Sequence, residues 1–244
     1  MSGVLVEQQF NCFVKEFGGT VLGEHVGKSP CFSNADYYFE KYNIVAELKT
    51  LTQDKSDDPR VQTKLNRLLE LWIKDGLIPD PGYGTFKLST KDLPRQCQDE
   101  IYKVFQKPIH RRIDKANKQI RQTKKHLSYP SAKGLLLLVN EGNYALEIDA
   151  LAHAVDKILD NGFSSIDNVL IFTVNLAAFM HGLDRKVLVW LPCYRKGYEG
   201  IDREIFDLMQ IGWTKHLEGI VGENIPKIGP MPTEQLSNIR YFRR

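Results

Sequence analysis

The sequence predicts an α/β protein in which helices flank a mixed β-sheet, with a helical insertion and a C-terminal α/β extension. Three features predict this fold class. Residues 34–51 alternate apolar and polar side chains in two short runs, as a half-buried hairpin does. Residues 133–140 contain a continuous apolar run, which is typical of a strand buried on both faces. Segments with helical spacing of apolar residues precede, separate and follow these strands.

The chain has 244 residues, of which 42% are hydrophobic and 26% charged, as expected for a globular protein with a sizeable core. We treat residues 1–244 as one domain. Its core is expected in residues 1–51 and 91–140, a helical insertion in residues 52–90, and the α/β extension in residues 141–244.

The first element is a helix over residues 3–17, because four apolar side chains recur on one helical face, namely Val6, Phe10, Phe13 and Phe17. The pair Gly18-Gly19 ends this helix. Residues 20–33 contain Gly and Pro and form a loop or a first short strand that leads into the hairpin.

The elements after the hairpin follow from the same periodicities. In chain order we expect a helix at Val61–Lys74, a long helical stretch at residues 91–127 that is broken or bent at Pro108, a strand at Lys133–Asn140, a helix at Glu147–Leu159, strands at Val169–Val174 and Lys186–Leu191, and a helix at Ile205–Leu217. The Pro-rich tail from Val221 ends in a basic run that is partly ordered or contacts phosphate.

The hairpin brings two carboxylates together. We take Lys41-Tyr42 as a two-residue turn, which places Asp36 opposite Glu47 on one face of the sheet. Lys49 projects to the same face, because side chains alternate along a strand. The other face then pairs apolar residues, Phe39 with Ile44 and Tyr37 with Ala46. A three-residue turn would shift this pairing by one residue.

Adjacent carboxylates repel each other, and a divalent cation between them removes the repulsion. Magnesium and manganese prefer oxygen ligands, and a bound ion can orient a phosphodiester and lower the pKa of a water. The alternative for Glu47 and Lys49 is a solvated strand face with a weak ion pair. Their position inside an apolar strand, after Asp36, favours the metal site. Asp36, Glu47 and Lys49 are therefore candidate catalytic residues.

In this pattern the chain resembles the PD-(D/E)xK, or restriction-endonuclease-like, nuclease superfamily, over about residues 1–140. Asp36 matches the acidic residue of the second strand, and Glu47 and Lys49 match the Glu-x-Lys of the third. The Pro that often precedes the Asp is replaced by Asn34-Ala35. The resemblance implies a helix, a three-stranded antiparallel meander, a second helix, and a strand parallel to the edge of the meander.

The resemblance also implies metal ligands. Asp36 and Glu47 would hold one or two Mg²⁺ ions, for which Mn²⁺ can substitute, and the carbonyl of Leu48 would be a further ligand. A Glu on the first helix often reaches the site in this superfamily. Of the two candidates, we prefer Glu7 to Glu16.

A side chain on the helix after the Glu-x-Lys often touches the metal-bound water or the phosphate in this superfamily. The resemblance assigns this catalytic role to Gln122, with Gln119 and Lys118 as alternatives.

Residues 103–125 carry nine basic residues and one acid, a net charge of +8, whereas the whole chain has a net charge of +3. A solvated helix face normally mixes both signs, so an uncompensated basic face favours a nucleic-acid partner. The expected nucleic-acid contacts are Lys107, Arg111, Lys115, Lys118, Arg121 and Lys125.

Other classes of function have little support in the sequence. The four cysteines form no C-x-x-C pair and the six histidines have no ligand spacing, so we expect no zinc site. There is no phosphate-binding G-x-x-x-x-G-K-S/T loop, no G-x-G-x-x-G and no G-x-S-x-G. Isolated cysteines, no recognisable signal peptide and short apolar runs predict a cytoplasmic protein with no membrane partner.

A second acid-x-Lys triplet, Asp184-Arg185-Lys186, has Asp167 upstream. It begins a predicted strand directly after His181-Gly182 instead of lying within one. We therefore interpret it as a turn and strand start, and keep it as the second candidate site.

The sequence thus predicts a Mg²⁺-dependent nuclease that hydrolyses phosphodiester bonds, with DNA favoured over RNA. An endonuclease of restriction, phage-defence or repair type is the closest analogy, and a homodimer is left open. The alternative is a non-catalytic nucleic-acid-binding or scaffold protein that uses the basic helix 103–125. A third hypothesis is a hydrolase of a small phosphorylated ligand, for which the basic helix is incidental.

Overall fold

The structure of the protein is a computed structural model. It describes residues 5–25, 32–53, 58–82, 92–144, 147–160, 162–176, 178–180, 186–195, 197–225 and 239–241. Within these ranges the helices are α1 (Val6–Glu16), α2 (Leu22–His25), α3 (Pro59–Lys74), α4 (Arg95–His126), α5 (Ile148–Leu159) and α6 (Arg203–Val221). The strands are β1 (Thr20–Val21), β2 (Tyr37–Phe39), β3 (Ile44–Leu51), β4 (Lys133–Asn140), β5 (Asn168–Thr173), β6 (Ala178–Met180), β7 (Lys186–Val187), β8 (Trp190–Tyr194) and β9 (Ile239–Tyr241).

The main sheet has six strands in the order β1-β2-β3-β4-β5-β8. Strands β1, β2 and β3 form an antiparallel meander, β4 and β5 continue parallel to β3, and β8 closes the far edge antiparallel to β5. A second, three-stranded sheet has the order β7-β6-β9. The predicted class, a mixed sheet flanked by helices, is therefore confirmed.

The prediction of one strand over Lys186–Leu191 is wrong. Lys186 and Val187 pair with β6 in the small sheet, whereas Trp190 begins β8 in the main sheet. The chain changes sheets at Val189, whose amide donates to the Thr173 hydroxyl (2.9 Å) and whose carbonyl accepts from the Thr173 amide (3.1 Å). An apolar run reveals that a segment is buried, but not which sheet it joins.

The hairpin has the predicted register, with Tyr37 opposite Ala46 and Phe39 opposite Ile44. The predicted two-residue turn is wrong, since Glu40–Tyr42 form a 3-10 helix. Asn43 then adopts the left-handed conformation (φ 49°), which a short polar side chain tolerates. The register survives because the connection still places four residues between the paired positions, so no side chain changes face.

The two faces of the main sheet are covered by different helices. On one face, α1 and α6 pack an aromatic cluster that includes Phe10, Phe13 and Trp213, where the ring centroids of Phe10 and Trp213 lie 5.1 Å apart. On the other face, α4 and α5 pack aliphatic residues against the sheet. Val45 and Leu51 of β3 lie on this second face, and the alternation of side chains places Glu47 and Lys49 there too.

Helix α4 runs without a break through Pro108, so a break at this residue is ruled out. Its residues Ile113, Ala116 and Ile120 are buried against the sheet, as predicted from their spacing. The first part of α4 packs on α3 around Trp72 and Cys97, and the Trp72 indole donates to Glu100 (2.8 Å). Among the described helices, none combines the length and the apolar character needed to cross a membrane.

Candidate active site

The segment that leads into β2 is fixed on helix α4 by three side chains. The amide of Ala35 donates to the Thr123 hydroxyl (2.6 Å), and the Gln119 amide group donates to the carbonyl of Asn34 (2.9 Å). One residue earlier along the segment, the amide of Ser33 donates to the side-chain oxygen of Gln122 (2.8 Å). These contacts set the path of the chain directly before Asp36.

Asp36 is held against β3 by a second interaction. Its Oδ2 accepts a hydrogen bond from the amide of Leu48 (2.8 Å). Asp36 precedes the pair of Tyr37 with Ala46 by one residue, so it stands opposite Glu47. The structure therefore brings the two carboxylates to adjacent positions on the α4 side of the sheet.

Glu47 is the most deeply buried acidic group of this site, with a side chain that is 0% exposed. Its Oε1 pairs with Nζ of Lys49, whose side chain is 15% exposed. Its Oε2 accepts from no donor among the described residues, and the neighbouring carboxyl of Asp36 can share a hydrogen bond with Glu47 only when one of the two is protonated. A buried carboxylate oxygen without a partner is costly, and it is an open ligand position.

Burial dominates the titration of both carboxyls, and a hydrogen bond between the two side chains raises the pKa of Glu47 and lowers that of Asp36. Burial raises the pKa of Glu47 to about 8; the charge of Asp36 adds to this effect and the charge of Lys49 opposes it. Burial also raises the pKa of Asp36, and the Leu48 amide and Lys49 offset only part of this rise. Near neutral pH the pair therefore retains a proton, which we assign to Glu47.

Glu7 lies near this pair. It is exposed on the first turn of α1, one helical turn before Asn11, which accepts a hydrogen bond from the Tyr37 hydroxyl (2.9 Å). The charge of Glu7 contributes to raising the pKa of Asp36. Helix α1 thus brings the preferred Glu of the first helix close to Asp36, although Glu7 makes no direct contact with it in the described structure.

The backbone carbonyl of Leu48 points to the same side of β3 as Asp36. The carbonyls of Asn43 and Leu51 face β4, because they accept from the amides of Lys133 (2.8 Å) and Glu141 (3.0 Å). Successive peptide groups of a strand point to opposite sides, so the carbonyl of Leu48 points away from β4 and toward β2 and Asp36. The amide of Leu48, bonded to Asp36, points the same way.

These groups fit a hard divalent cation. Two carboxylates and a backbone carbonyl are oxygen donors of the kind that Mg²⁺ takes, with water completing its shell. The unpartnered Glu47 Oε2 supplies the position that such an ion would use. No cluster of three or more His, Cys, Asp or Glu side chains is arranged as metal ligands in the described ranges, so the fit depends on the pair and on the carbonyl of Leu48.

The remaining predicted site residues lie on α4. Gln122 is half-buried and bonds to Ser33, so the structure gives it a contact with the segment before Asp36. Gln119 is buried, and its side-chain oxygen has no partner in the part of the chain that the structure describes. Thr123 was not predicted, although its position one turn after Gln119 places both side chains on one face of α4.

All six predicted nucleic-acid contacts are exposed along α4, namely Lys107, Arg111, Lys115, Lys118, Arg121 and Lys125. Lys118 pairs with Asp114 (2.7 Å). The other five have no acidic partner within 4 Å among the described residues. Lys124 differs, because it is largely buried and lies 3.6 Å from Asp167.

The second candidate triplet, Asp184-Arg185-Lys186, falls largely outside the described ranges. Asp184 and Arg185 lie outside the described residues, and only the backbone of Lys186 is described. The upstream Asp167 accepts from the amide of Gly134 (2.6 Å), at the start of β4.

Comparisons of the chain with protein-family models, with curated proteins and with solved structures find no match.

Proposed function

We propose that this protein is a metal-dependent nuclease that hydrolyses phosphodiester bonds, with DNA as its substrate. The observation that carries the proposal is the buried pair of Asp36 and Glu47 beside Lys49, with one Glu47 oxygen unpartnered. Structural carboxylates are normally satisfied by their neighbours, whereas this pair needs either a shared proton or a cation to offset its repulsion, and a cation would use the Glu47 oxygen that accepts from no donor.

The topology supports the same proposal. Helix α1, the antiparallel meander β1-β2-β3, helix α4 and the parallel strand β4 follow each other in the order that the resemblance to the PD-(D/E)xK superfamily implies. Asp36 directly precedes the second strand of the meander and Glu47 lies in the third, close to the positions of the acidic residues in the pattern of that superfamily. Fold alone does not determine chemistry, so the proposal rests on the site and the topology together.

In the proposed site, Asp36, Glu47 and the carbonyl of Leu48 hold Mg²⁺, for which Mn²⁺ can substitute, and Glu7 completes the acidic shell. When bound, the ion supplies Lewis-acid chemistry at the phosphodiester and at water. Lys49 carries a positive charge at the rim of the site, where it orients water or neutralises charge that develops on the phosphate. Gln119, Gln122 and Thr123 keep Asp36 in place through the segment 33–35.

The exposed cations of α4 support nucleic acid as the substrate class. Helix α4 packs on the face of the sheet that carries Glu47 and Lys49, and its exposed cations lie on the side of the helix that faces solvent. Unpaired Lys and Arg residues attract phosphates and release counterions on binding. Lys107, Arg111 and Lys115 are exposed on the solvent side of α4, where phosphates can reach them.

One observation favours the alternative, a nucleic-acid-binding protein without catalysis. Glu47 is fully buried and already paired with Lys49, so its charge is partly satisfied without any ion. This alternative predicts salt-dependent binding of DNA, no cleavage, and no effect of divalent cations on either stability or binding.

The decisive experiment measures cleavage of supercoiled, linear and single-stranded DNA and of RNA, in Mg²⁺, Mn²⁺ or EDTA. Wild type is compared with Glu47→Gln and Lys49→Ala, with Asp167→Asn as the matched control, and the fold of each is checked by circular dichroism. We expect cleavage that requires the metal, falls about 100-fold or more in the two site variants, and persists in the control.

Cleavage that survives in folded Glu47→Gln would move the active site elsewhere, first to Asp184 and Lys186. DNA binding by wild type with no cleavage under any condition would favour the non-catalytic alternative. The substrate preferred by wild type would decide between DNA and RNA.

A further inference from the structure

We propose that Arg112 is a substrate-binding residue that holds a backbone phosphate of the nucleic acid at the rim of the Asp36–Glu47 site. The sequence pattern gave no reason to separate Arg112 from the other cations of α4. This inference rests on the proposed function, and it names the group that would fix the substrate against that site.

The guanidinium of Arg112 is oriented by two backbone carbonyls. Its Nε donates to the carbonyl of Thr50 on β3 (3.0 Å), and its Nη1 donates to the carbonyl of Pro108 one turn earlier on α4 (3.3 Å). A guanidinium carries further N–H groups on Nη1 and Nη2, and these have no acceptor among the described residues. The side chain is thus held in one orientation while part of its donor edge remains free.

The position of Thr50 places the Arg112 guanidinium relative to the site. The carbonyls of Leu48 and Thr50 are two residues apart, so both point away from β4, toward the side where Asp36 lies. Strand β2 runs antiparallel to β3, and Asp36 stands opposite Glu47 at its beginning. Thr50 therefore faces the side beyond the start of β2, where the segment before Asp36 runs, about 7 Å along the strand from Leu48.

The charge of Arg112 is not compensated within the described structure. The residue is half-buried and has no acidic side chain within 4 Å among the described residues, whereas the similarly placed Lys124 has Asp167 at 3.6 Å. Burial lowers the pKa of Arg112, which indicates that the guanidinium is partly removed from water. A half-buried cation without a counter-ion is costly, and an anionic ligand would offset this cost.

A phosphate is the anion that this arrangement suits. The planar guanidinium matches phosphate geometry with two parallel hydrogen bonds, and its charge persists at any working pH. Exposed Lys107 and Lys115 attract phosphates from water without defining a position. Arg112 is pre-oriented by Thr50 and Pro108, so it would set the register of the strand relative to Asp36 and Glu47.

The test measures the affinity for a short DNA oligonucleotide in the Glu47→Gln background, which removes cleavage. The protein that keeps Arg112 is compared with the Arg112→Gln and Arg112→Lys variants. Lys115→Gln is the matched control, because it removes one exposed charge from the same helix. We expect Arg112→Gln to weaken binding about 10-fold or more, Arg112→Lys to recover part of the loss, and Lys115→Gln to weaken it about 3-fold or less.

A phosphate scan separates binding from a purely structural role. A single methylphosphonate, which removes the charge of one phosphate, is placed at each position of the oligonucleotide in turn. At one position it should weaken binding when Arg112 is present and have no further effect in Arg112→Gln. Equal effects in both proteins at every position, or undiminished binding by folded Arg112→Gln, would overturn the inference.

The outcomes also distinguish this inference from the proposed function. Cleavage by wild type without any position-specific coupling to Arg112 would overturn the inference alone. Coupling at one phosphate in a protein that never cleaves would overturn the nuclease proposal and leave Arg112 as a phosphate-binding residue.

Discussion

Two carboxylate–lysine clusters lie on the same face of the main sheet and differ in one respect. In each, an Asp directly before a strand accepts from a backbone amide of the neighbouring strand: Asp36 from Leu48 (2.8 Å) and Asp167 from Gly134 (2.6 Å). In each, a partly buried lysine stands beside a carboxylate. Among the residues that the structure describes, only the first cluster contains a second carboxylate, Glu47.

This difference separates a structural cluster from a candidate functional one. Asp167 meets one amide and one cation, so its charge stabilises the start of β4 and holds Lys124. Glu47 meets Lys49 but also another acid, and one of its oxygens has no partner among the described residues. The second acid makes the first cluster unfavourable without a cation and favourable with one.

The largest expected difference between the two clusters lies in how each makes the free energy of unfolding depend on pH. The carboxyl of Glu47 titrates at 4.5 in an unperturbed setting and at about 8 in the folded protein. Between these values the folded protein retains a proton that the unfolded chain has released. The contribution of the Glu47 proton to the free energy of unfolding is therefore complete below about pH 4.5. It is lost as the pH rises toward 8, at up to about 1.4 kcal/mol per pH unit.

Urea unfolding in EDTA from about pH 5 to about pH 8 measures this slope. The free energy of unfolding of wild type should fall across the range, and that of Glu47→Gln should be flatter because no carboxyl titrates at this position. Asp167→Asn should retain the slope of wild type. Identical slopes in wild type and Glu47→Gln would contradict the assignment of the proton to Glu47.

The next effect is the opposite response of the two clusters to substitution. Asp167→Ala removes the acceptor of the Gly134 amide and the partner of Lys124, so it should cost about 2 kcal/mol of stability and leave cleavage by the folded protein unchanged. Glu47→Gln should abolish cleavage and raise stability in EDTA at about pH 8. Denaturant unfolding and the plasmid assay measure both quantities.

Asp167→Asn retains an acceptor for Gly134 and serves as the conservative control. A folded Asp167→Ala variant that cannot cleave DNA would mean that this second cluster is part of the active site.

The smallest effect is the response to Mg²⁺. At ten times its Kd, an ion that binds only the folded protein adds about 1.4 kcal/mol to the free energy of unfolding. Wild type and Asp167→Asn should gain this stability, and Glu47→Gln should not. The gain should be larger at about pH 8 than at about pH 6, because a proton on Glu47 competes with the ion. An equal gain in Glu47→Gln would place the ion elsewhere.

The sequence predicted the hairpin and its register, although the predicted turn was wrong. Alternation of apolar residues determines which face a side chain occupies, and this information is local. It placed Asp36, Glu47 and Lys49 on one face without knowledge of the connection. The split of residues 186–191 between two sheets was not predictable in this way, because it depends on contacts with Thr173 and β6.

The parts of the site that depend on distant contacts were also missed. Thr123 lies 88 residues from Ala35 along the chain, and no local pattern shows that its hydroxyl bonds to that amide. Arg112 was counted among the basic residues of 103–125 but not among the six expected contacts, because spacing cannot show which long side chain is partly removed from water. Both residues require the packing of α4 on the sheet to be known.

The four residues between Phe39 and Ile44 have a consequence for how the gene can change. Each strand is held by its own buried face, Tyr37 and Phe39 in β2 and Ile44 and Ala46 in β3, so an inserted residue would lengthen the connection and leave Asp36 opposite Glu47. Asn43 is more restricted, because its left-handed backbone (φ 49°) disfavours β-branched residues. The length of this connection is therefore freer to change than the residue at position 43.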